Sequence, residues 1–351
     1  MMQAPLTSET RRAVCRRAGG RVALALLLTP FAAWGFFALY YGSWPQGACV
    51  ALAWLYGAAH LSAVLFAPLR RVVLWSAVAF LLPLLAFHLM RPSNDRAWQP
   101  DVARLPYAEI NGDQVTVHNV RNCTYQSETN FTAVFETRRY DLSKLRTADI
   151  FLADWGLHKV AHTMLSFGFD DGHYLCFSIE TRKEVGEAYS AFKGLFRQYE
   201  VIFIAGDERD LVRLRTNVRQ GETVRLYRMV RAPPQAIRAT FADYLNRING
   251  LKRKPEWYNA VTENCMVGFF QIARHHAVKG RGRWHWSVIL NGYADRHAYE
   301  NGALDTSLAF DELRRRSIVN DRARAAGASP AFSRLIRQGL PGVKLPQEGD
   351  H

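Results

Sequence analysis

Three apolar runs, each about the length that crosses a bilayer as a helix, open the chain and dictate most of what can follow. In lipid an unpaired backbone polar group is costly, so runs of this length can only be helices. Val22 to Tyr41 carries no charge and follows a polar segment with Arg11, Arg12, Arg16, Arg17 and Arg21. Ala48 to Leu69 is the second run, stopped by Arg70-Arg71, and Val72 to Met90 is the third, stopped by Arg91-Pro92. A signal peptide would have a shorter apolar core and a small-residue cleavage site, so the first run reads as a retained span. Gly42-Ser43-Trp44-Pro45 makes an uncharged turn, with Tyr40, Tyr41 and Trp44 suited to the interface. Arginines cluster before the first run and between the second and third. By the positive-inside rule the N-terminus is cytoplasmic, and three crossings put residues 91–351 outside. His60 and His88 fall within spans; they read as histidines near a helix end or facing another helix.

The remainder reads like a soluble domain. The net charge is +14, which fits nucleic acid, an anionic membrane surface or acidic substrates. The arginines are dispersed, with no basic block interleaved with aromatics, so the membrane is favoured and a nucleic-acid partner is not expected. None of Cys15, Cys49, Cys123, Cys176 and Cys265 forms a C-x-x-C pair, which argues against a zinc ribbon or a redox pair. With Cys15 and Cys49 in the membrane region, a Cys123–Cys176 bond would leave Cys265 unpaired. The chain divides into a basic cytoplasmic N-terminus (1–20), three transmembrane helices (21–91), a linker and first strand (92–120), a Cys/His domain (121–290), and a C-terminal extension and polar tail (291–351).

Within that domain, alternation predicts strands over Val115–Val120, Val160–Phe169 and His173–Glu180, the last two joined by a hairpin turn at Asp170-Asp171-Gly172. Further strands are expected at Ile150–Ala153, Val201–Ile204 and Val224–Val230. Ala236–Leu251 is an amphipathic helix, and Asp207-Glu208-Arg209-Asp210 opens another, reading as a capped, salt-bridged helix start rather than a site. A short helix near Phe310–Arg316 precedes a polar tail expected to be loosely held. The fold class is α+β: three N-terminal transmembrane helices, then an antiparallel-sheet-plus-helix domain.

Two short stretches carry the chemistry. A thiol becomes a nucleophile when its pKa falls, and a helix N-terminus lowers it through the dipole and free N–H groups. Thr262 and Asn264 are good N-cap residues, and either puts Cys265 in the first turn of an apolar helix, where free N–H groups suit an oxyanion. His162, on a strand, is the candidate base. Counting back across the hairpin brings Glu180 opposite His162, as the group that would orient the imidazole; His173, near the turn, is the weaker choice. Arg182 to Glu200, with Glu184, Glu187, Arg197 and Tyr199, is a segment that would cover the cleft. His275-His276 and His285 lack metal-ligand spacing, so no metal and no cofactor is expected. A cysteine and a histidine alone are weak evidence, since a buried thiol and a satisfied imidazole explain them as well. Their order, histidine strand before cysteine helix, is the reverse of most cysteine peptidases and matches a circularly permuted papain-like fold.

Ala161-His162-Thr163-Met164-Leu165-Ser166-Phe167, Ser178 through Glu184, Asp207-Glu208-Arg209-Asp210 and Tyr258-Asn259 through Asn264-Cys265 resemble the Lnb N-terminal periplasmic domain family, over roughly residues 95–290. The resemblance implies a permuted papain-like (NlpC-like) domain and, in lipoprotein N-acyltransferases of the Lnb type, a catalytic cysteine and histidine. These map onto Cys265 and His162. Asn264, Tyr258 and Arg182 stand in the same motifs and are expected to bind the oxyanion or substrate. Family members often have small hydroxyl residues after the cysteine, where Met266-Val267 stand here, and the characterised type has a different transmembrane portion. The expected protein is a thiol acyltransferase of the bacterial inner membrane acting on phospholipid or lipoprotein. The alternatives are a periplasmic thiol hydrolase or peptidase, a non-catalytic envelope assembly protein, and a membrane-anchored lipid-binding module.

Overall fold

The computed structural model describes residues 8–156, 161–259 and 291–343. It divides into a helical unit, which runs to Pro92 and also takes Ser190–Gln198, and a sheet unit that takes the rest.

The helical unit is built from α1 (Ser8–Tyr40), α2 (Gln46–Phe66) and α3 (Leu69–Leu89). The stretches Gly19–Tyr40, Gln46–Phe66 and Leu69–Leu89 are long and apolar enough to cross a membrane, with mean hydropathies of 2.1, 1.7 and 2.2. Contact between the helices rests on small residues that let backbones approach, as it must where lipid is as apolar as leucine. A Cβ at Gly35 of α1 would meet the Tyr56 hydroxyl of α2 at 2.7 Å. Leu39, Ala53, Tyr56 and Ala86 form the interior, while Leu26, Trp54, Trp75 and Leu82 face outward. The Arg21 guanidinium donates to the Val64 and Ala67 carbonyls, where cations are favoured at the end of α2. His60 of α2 faces Ser76 of α3 at 3.4 Å, and His88 bonds its own helix at the Leu84 carbonyl, 2.8 Å away.

Among the described residues the sheet unit has ten strands: β1 (Tyr107–Asn111), β2 (Gln114–Arg121), β3 (Thr124–Tyr125), β4 (Phe131–Thr132), β5 (Phe135–Asp141), β6 (Leu145–Asp154), β7 (Ala161–Phe169), β8 (Tyr174–Arg182), β9 (Glu200–Gly206) and β10 (Thr223–Arg228). The main sheet runs β1-β2-β9-β8-β7-β6-β10, with β5 also on β2, and β3 pairs β4 apart from it. It is antiparallel except for one parallel bridge, Arg121 to Gly206. Strands β1 and β5 are not expected from the sequence. Only one residue of each is buried, so neither shows the alternation of a half-buried strand.

Every residue of β7 and of β9 is buried, so both faces of the sheet centre are covered. Leu165, Phe167, Phe177 and Phe203 meet helix α6 (Pro234–Arg253), whose Phe241 ring sits 5.0 Å from Phe167 and 6.1 Å from Phe177. Met164, Cys176, Ile202 and Ile204 line the other face. That second face corrects the expectation of a loosely held tail. Short helices at Asn320–Ala326 and Phe332–Leu335 follow those at Ala294–Glu300 and Phe310–Arg316, and Val319, Ala323, Phe332 and Ile336 complete the second core. Their apolar residues are scattered singly among arginines, which conceals the pattern. Of the segment Arg182–Glu200, Ser190–Gln198 groups with the helices, and Tyr199 is fully buried in the sheet unit.

Arg337 locks the second face. It is wholly buried and bonds Asp149 at 2.8 Å and both oxygens of Glu208 at 2.7 and 2.6 Å, with its guanidinium 3.8 Å over the Tyr174 ring. Removing one partner of a buried ion cluster strands the others. Arg337→Ala is expected to cost ~3–5 kcal/mol of stability, partly recovered in Arg337→Ala/Glu208→Ala. Denaturant unfolding of the full chain in detergent, followed by tryptophan fluorescence, checks both.

Candidate active site

Side chains alternate across a strand, so His162 and Ser166 of β7 share a face with Cys176, Ser178 and Glu180 of β8. The register is set by the turn: Phe169 N–H donates to the His173 carbonyl, and Gly172 takes a φ of 78°, in the region that favours glycine. The ladder then pairs Met164 with Ser178. His162 Nε2 lies 3.2 Å from Glu180 Oε1 and 2.7 Å from Ser178 Oγ, and Ser178 Oγ lies 2.7 Å from the same Glu180 oxygen.

Arg215 closes the group from below. Helix α5 (Glu208–Arg213, following the four-residue helix α4, Ala191–Gly194) continues into a wider π turn, Leu214–Val218. From that turn Arg215 Nη2 donates to Glu180 Oε1 at 2.8 Å, and Nη1 to the Leu211 carbonyl at 2.9 Å. Burial pushes the Glu180 carboxyl up, but His162, Arg215 and the Ser178 hydroxyl outweigh it and hold the pKa well below the usual range.

The protonation pattern follows. An ionised carboxylate only accepts, so Ser178 gives its one proton to Glu180. Its oxygen then accepts from His162, which puts the proton of the neutral ring on Nε2 and the basic lone pair on Nδ1. The arrangement fixes a tautomer and stabilises a positive ring, which is what a general base requires.

Of the residues singled out from sequence, the structure brings together His162 and Glu180. Asn264 and Cys265 lie outside the described residues, as do His275, His276 and His285. Arg182 lies against the Trp98–Ala103 segment. It is buried, donates to the carbonyls of Val102 and Ala103 at 3.0 and 2.9 Å, and stacks 4.2 Å over Trp98. Tyr258 is buried with the α6-side core, its N–H on the Tyr199 carbonyl at 2.8 Å. Asp207 caps α5 by accepting from Arg209 N–H at 2.8 Å, and Glu208 and Asp210 are buried in ion pairs, so this motif is a helix start. Ser178 and Arg215 are additions. A Ser-x-Glu pattern facing a strand histidine was a usable signal for the first; the second is brought in by tertiary folding alone.

The other cysteines of the sheet unit are poor nucleophiles. Cys123 and Cys176 are both free and buried. Burial and the Asp210 carboxylate push the Cys123 thiol up to about 12, and burial with Glu208 nearby raises Cys176 well above its ordinary value. Among the described residues no group of three or more His, Cys, Asp or Glu is arranged to hold a metal.

Residues 131–291 match the sequence profile of the Lnb N-terminal periplasmic domain. No curated protein and no solved structure matches the chain.

The lowered Glu180 pKa has a signed consequence. Folding takes this carboxyl below its ordinary value of 4.5, so its charge supports the fold at and above that value, and the support is lost as pH falls through the lowered one. Glu180→Gln is expected to be less stable than wild type near pH ~7, with the difference shrinking toward pH ~3. Denaturant unfolding of both proteins across that range provides the check.

Proposed function

We propose that this membrane-anchored periplasmic protein, built on a domain of the Lnb N-terminal periplasmic family, is a thiol acyltransferase with Cys265 as nucleophile and His162 as base. The observation that carries the reading is the fixing of His162 by Ser178, Glu180 and Arg215, because an imidazole with a set tautomer beside a carboxylate is the costly part of such a site. The N-terminus lies in the cytoplasm and the sheet unit in the periplasm, as the arginine distribution requires.

His162 Nδ1 takes the proton of the Cys265 thiol, and the thiolate attacks the ester carbonyl of a phospholipid acyl chain. The carbon–sulfur bond forms as the carbon–oxygen bond breaks, and His162 returns the proton to the departing lysolipid oxygen. An amine, such as the N-terminus of a lipoprotein, then attacks the thioester. His162 accepts the amine proton and passes it to the leaving sulfur, so the amide forms and the thiol is restored. Backbone N–H groups at Cys265, together with Asn264, hold the oxyanion in both halves. Glu180 balances the charge on His162 throughout, and no cofactor is needed. Membrane tethering raises the effective concentration of the lipid substrate.

Intact mass of the full chain in phospholipid vesicles tests this. An adduct of one acyl chain on Cys265, absent in Cys265→Ala, is expected. His162→Ala should slow its formation at least ~100-fold, and Ser178→Ala and Arg215→Met ~10-fold or more through loss of positioning. An adduct that survives in Cys265→Ala overturns the proposal. Hydrolysis of a cell-wall peptide without any acyl adduct turns the reading toward a thiol peptidase.

A further inference from the structure

Between β8 and β9 the chain joins the helical unit for the short stretch Ser190–Gln198. The attachment is specific. Phe192 meets Phe37 edge-on at 4.8 Å, and Phe196 packs on Phe37 and Tyr41 at 5.8 and 5.6 Å. Gln198 Nε2 donates to the Tyr41 carbonyl at 2.8 Å. Arg197 Nη1 donates to the Phe87 carbonyl at 2.6 Å, and its guanidinium lies 4.2 Å over the Phe87 ring. Arg197 holds a φ of 56°, unusual for a residue with a side chain and sustained here by that double attachment.

These contacts fix a depth. Tyr41 directly follows α1 and Phe87 is in the last turn of α3, and the two helices run the same way across the membrane, so both points lie at one membrane–water boundary. At that level Phe192 is 45% exposed and Leu195 38% exposed. Lys193 and Arg197 sit among the apolar residues, the mixture that suits the headgroup level. Phe192 packs on Phe37 of α1, a span whose outward face is apolar, so the occupant of the exposed side of Phe192 and Leu195 is the lipid that covers the spans.

We propose that Ser190–Gln198 is an interfacial membrane element. Phe192 and Leu195 enter the headgroup–acyl boundary of the leaflet at which α1 and α3 end, so that the β8–β9 connection has a lipid contact of its own. This does not depend on any chemistry at Cys265.

A photoreactive diazirine amino acid, placed singly at positions 192 and 195 of the full chain, tests the assignment. The protein is reconstituted in vesicles of phosphatidylethanolamine and phosphatidylglycerol, irradiated and weighed intact. Position 82, on the outward face of α3, calibrates lipid contact, and position 128, a largely exposed glutamate side chain of the sheet unit, calibrates water. Retention after an alkaline wash, set by the spans, qualifies every sample. Phospholipid adducts at 192 and 195 are expected within ~2-fold of those at 82 and ~10-fold above those at 128. Yields like those at position 128, or adducts to protein in place of lipid, overturn the proposal.

Discussion

Three carboxylates at the start of α5 each hold an arginine from a different part of the sheet unit. Asp207 pairs with Arg138 of β5, Glu208 with Arg337 beyond the last short helix, and Asp210 with Arg121 of β2. Asp210 also accepts from the Cys123 N–H and the Tyr125 hydroxyl, so its oxygens are fully used. Buried charges repay their desolvation only when geometry and further hydrogen bonds are this complete. The clasp seats α5 against the sheet, and the turn that follows α5 delivers Arg215 to Glu180. The orientation of His162 therefore depends on ion pairs that do not touch it.

The same arginines explain a compositional feature. Their dispersion along the sequence speaks against a basic groove, and the structure gives a physical reason for it. Arg121, Arg215, Arg225 and Arg337 are buried and paired with carboxylates, and Arg182 is spent on backbone carbonyls. Guanidinium is suited to this because its donors form a planar fork and it is weakly hydrated.

How much of this was legible in the sequence varies with the range of the interaction. The β7–β8 hairpin was readable because Asp-Asp-Gly marks the turn and both arms alternate, and its register sets Glu180 beside His162 by counting. The amphipathic α6 was equally plain from Ile237, Phe241, Tyr244 and Leu245. Ser178 needed one further step, that a hydroxyl two residues before the carboxylate shares its face. Arg215 was not readable, since nothing local ties it to a residue 35 positions earlier. Arg182 and Tyr258 stand in the motifs, and a motif reports which residues stand together, not whether they serve the site or the packing beneath it. The scattered apolar residues after Phe310 gave no period, although they cover half the sheet.

Arg337 also imposes an order on assembly. Its partners Asp149 and Glu208 stand 188 and 129 residues earlier in the chain. As the polypeptide is made from its N-terminus, both acids emerge long before the arginine that bridges them. Until residue 337 arrives, Glu208 lacks its arginine and Asp149 has only Arg228, so the layer beneath β6 and β7 is incomplete. Completion of this core is thus a late event in synthesis, because it waits for residue 337.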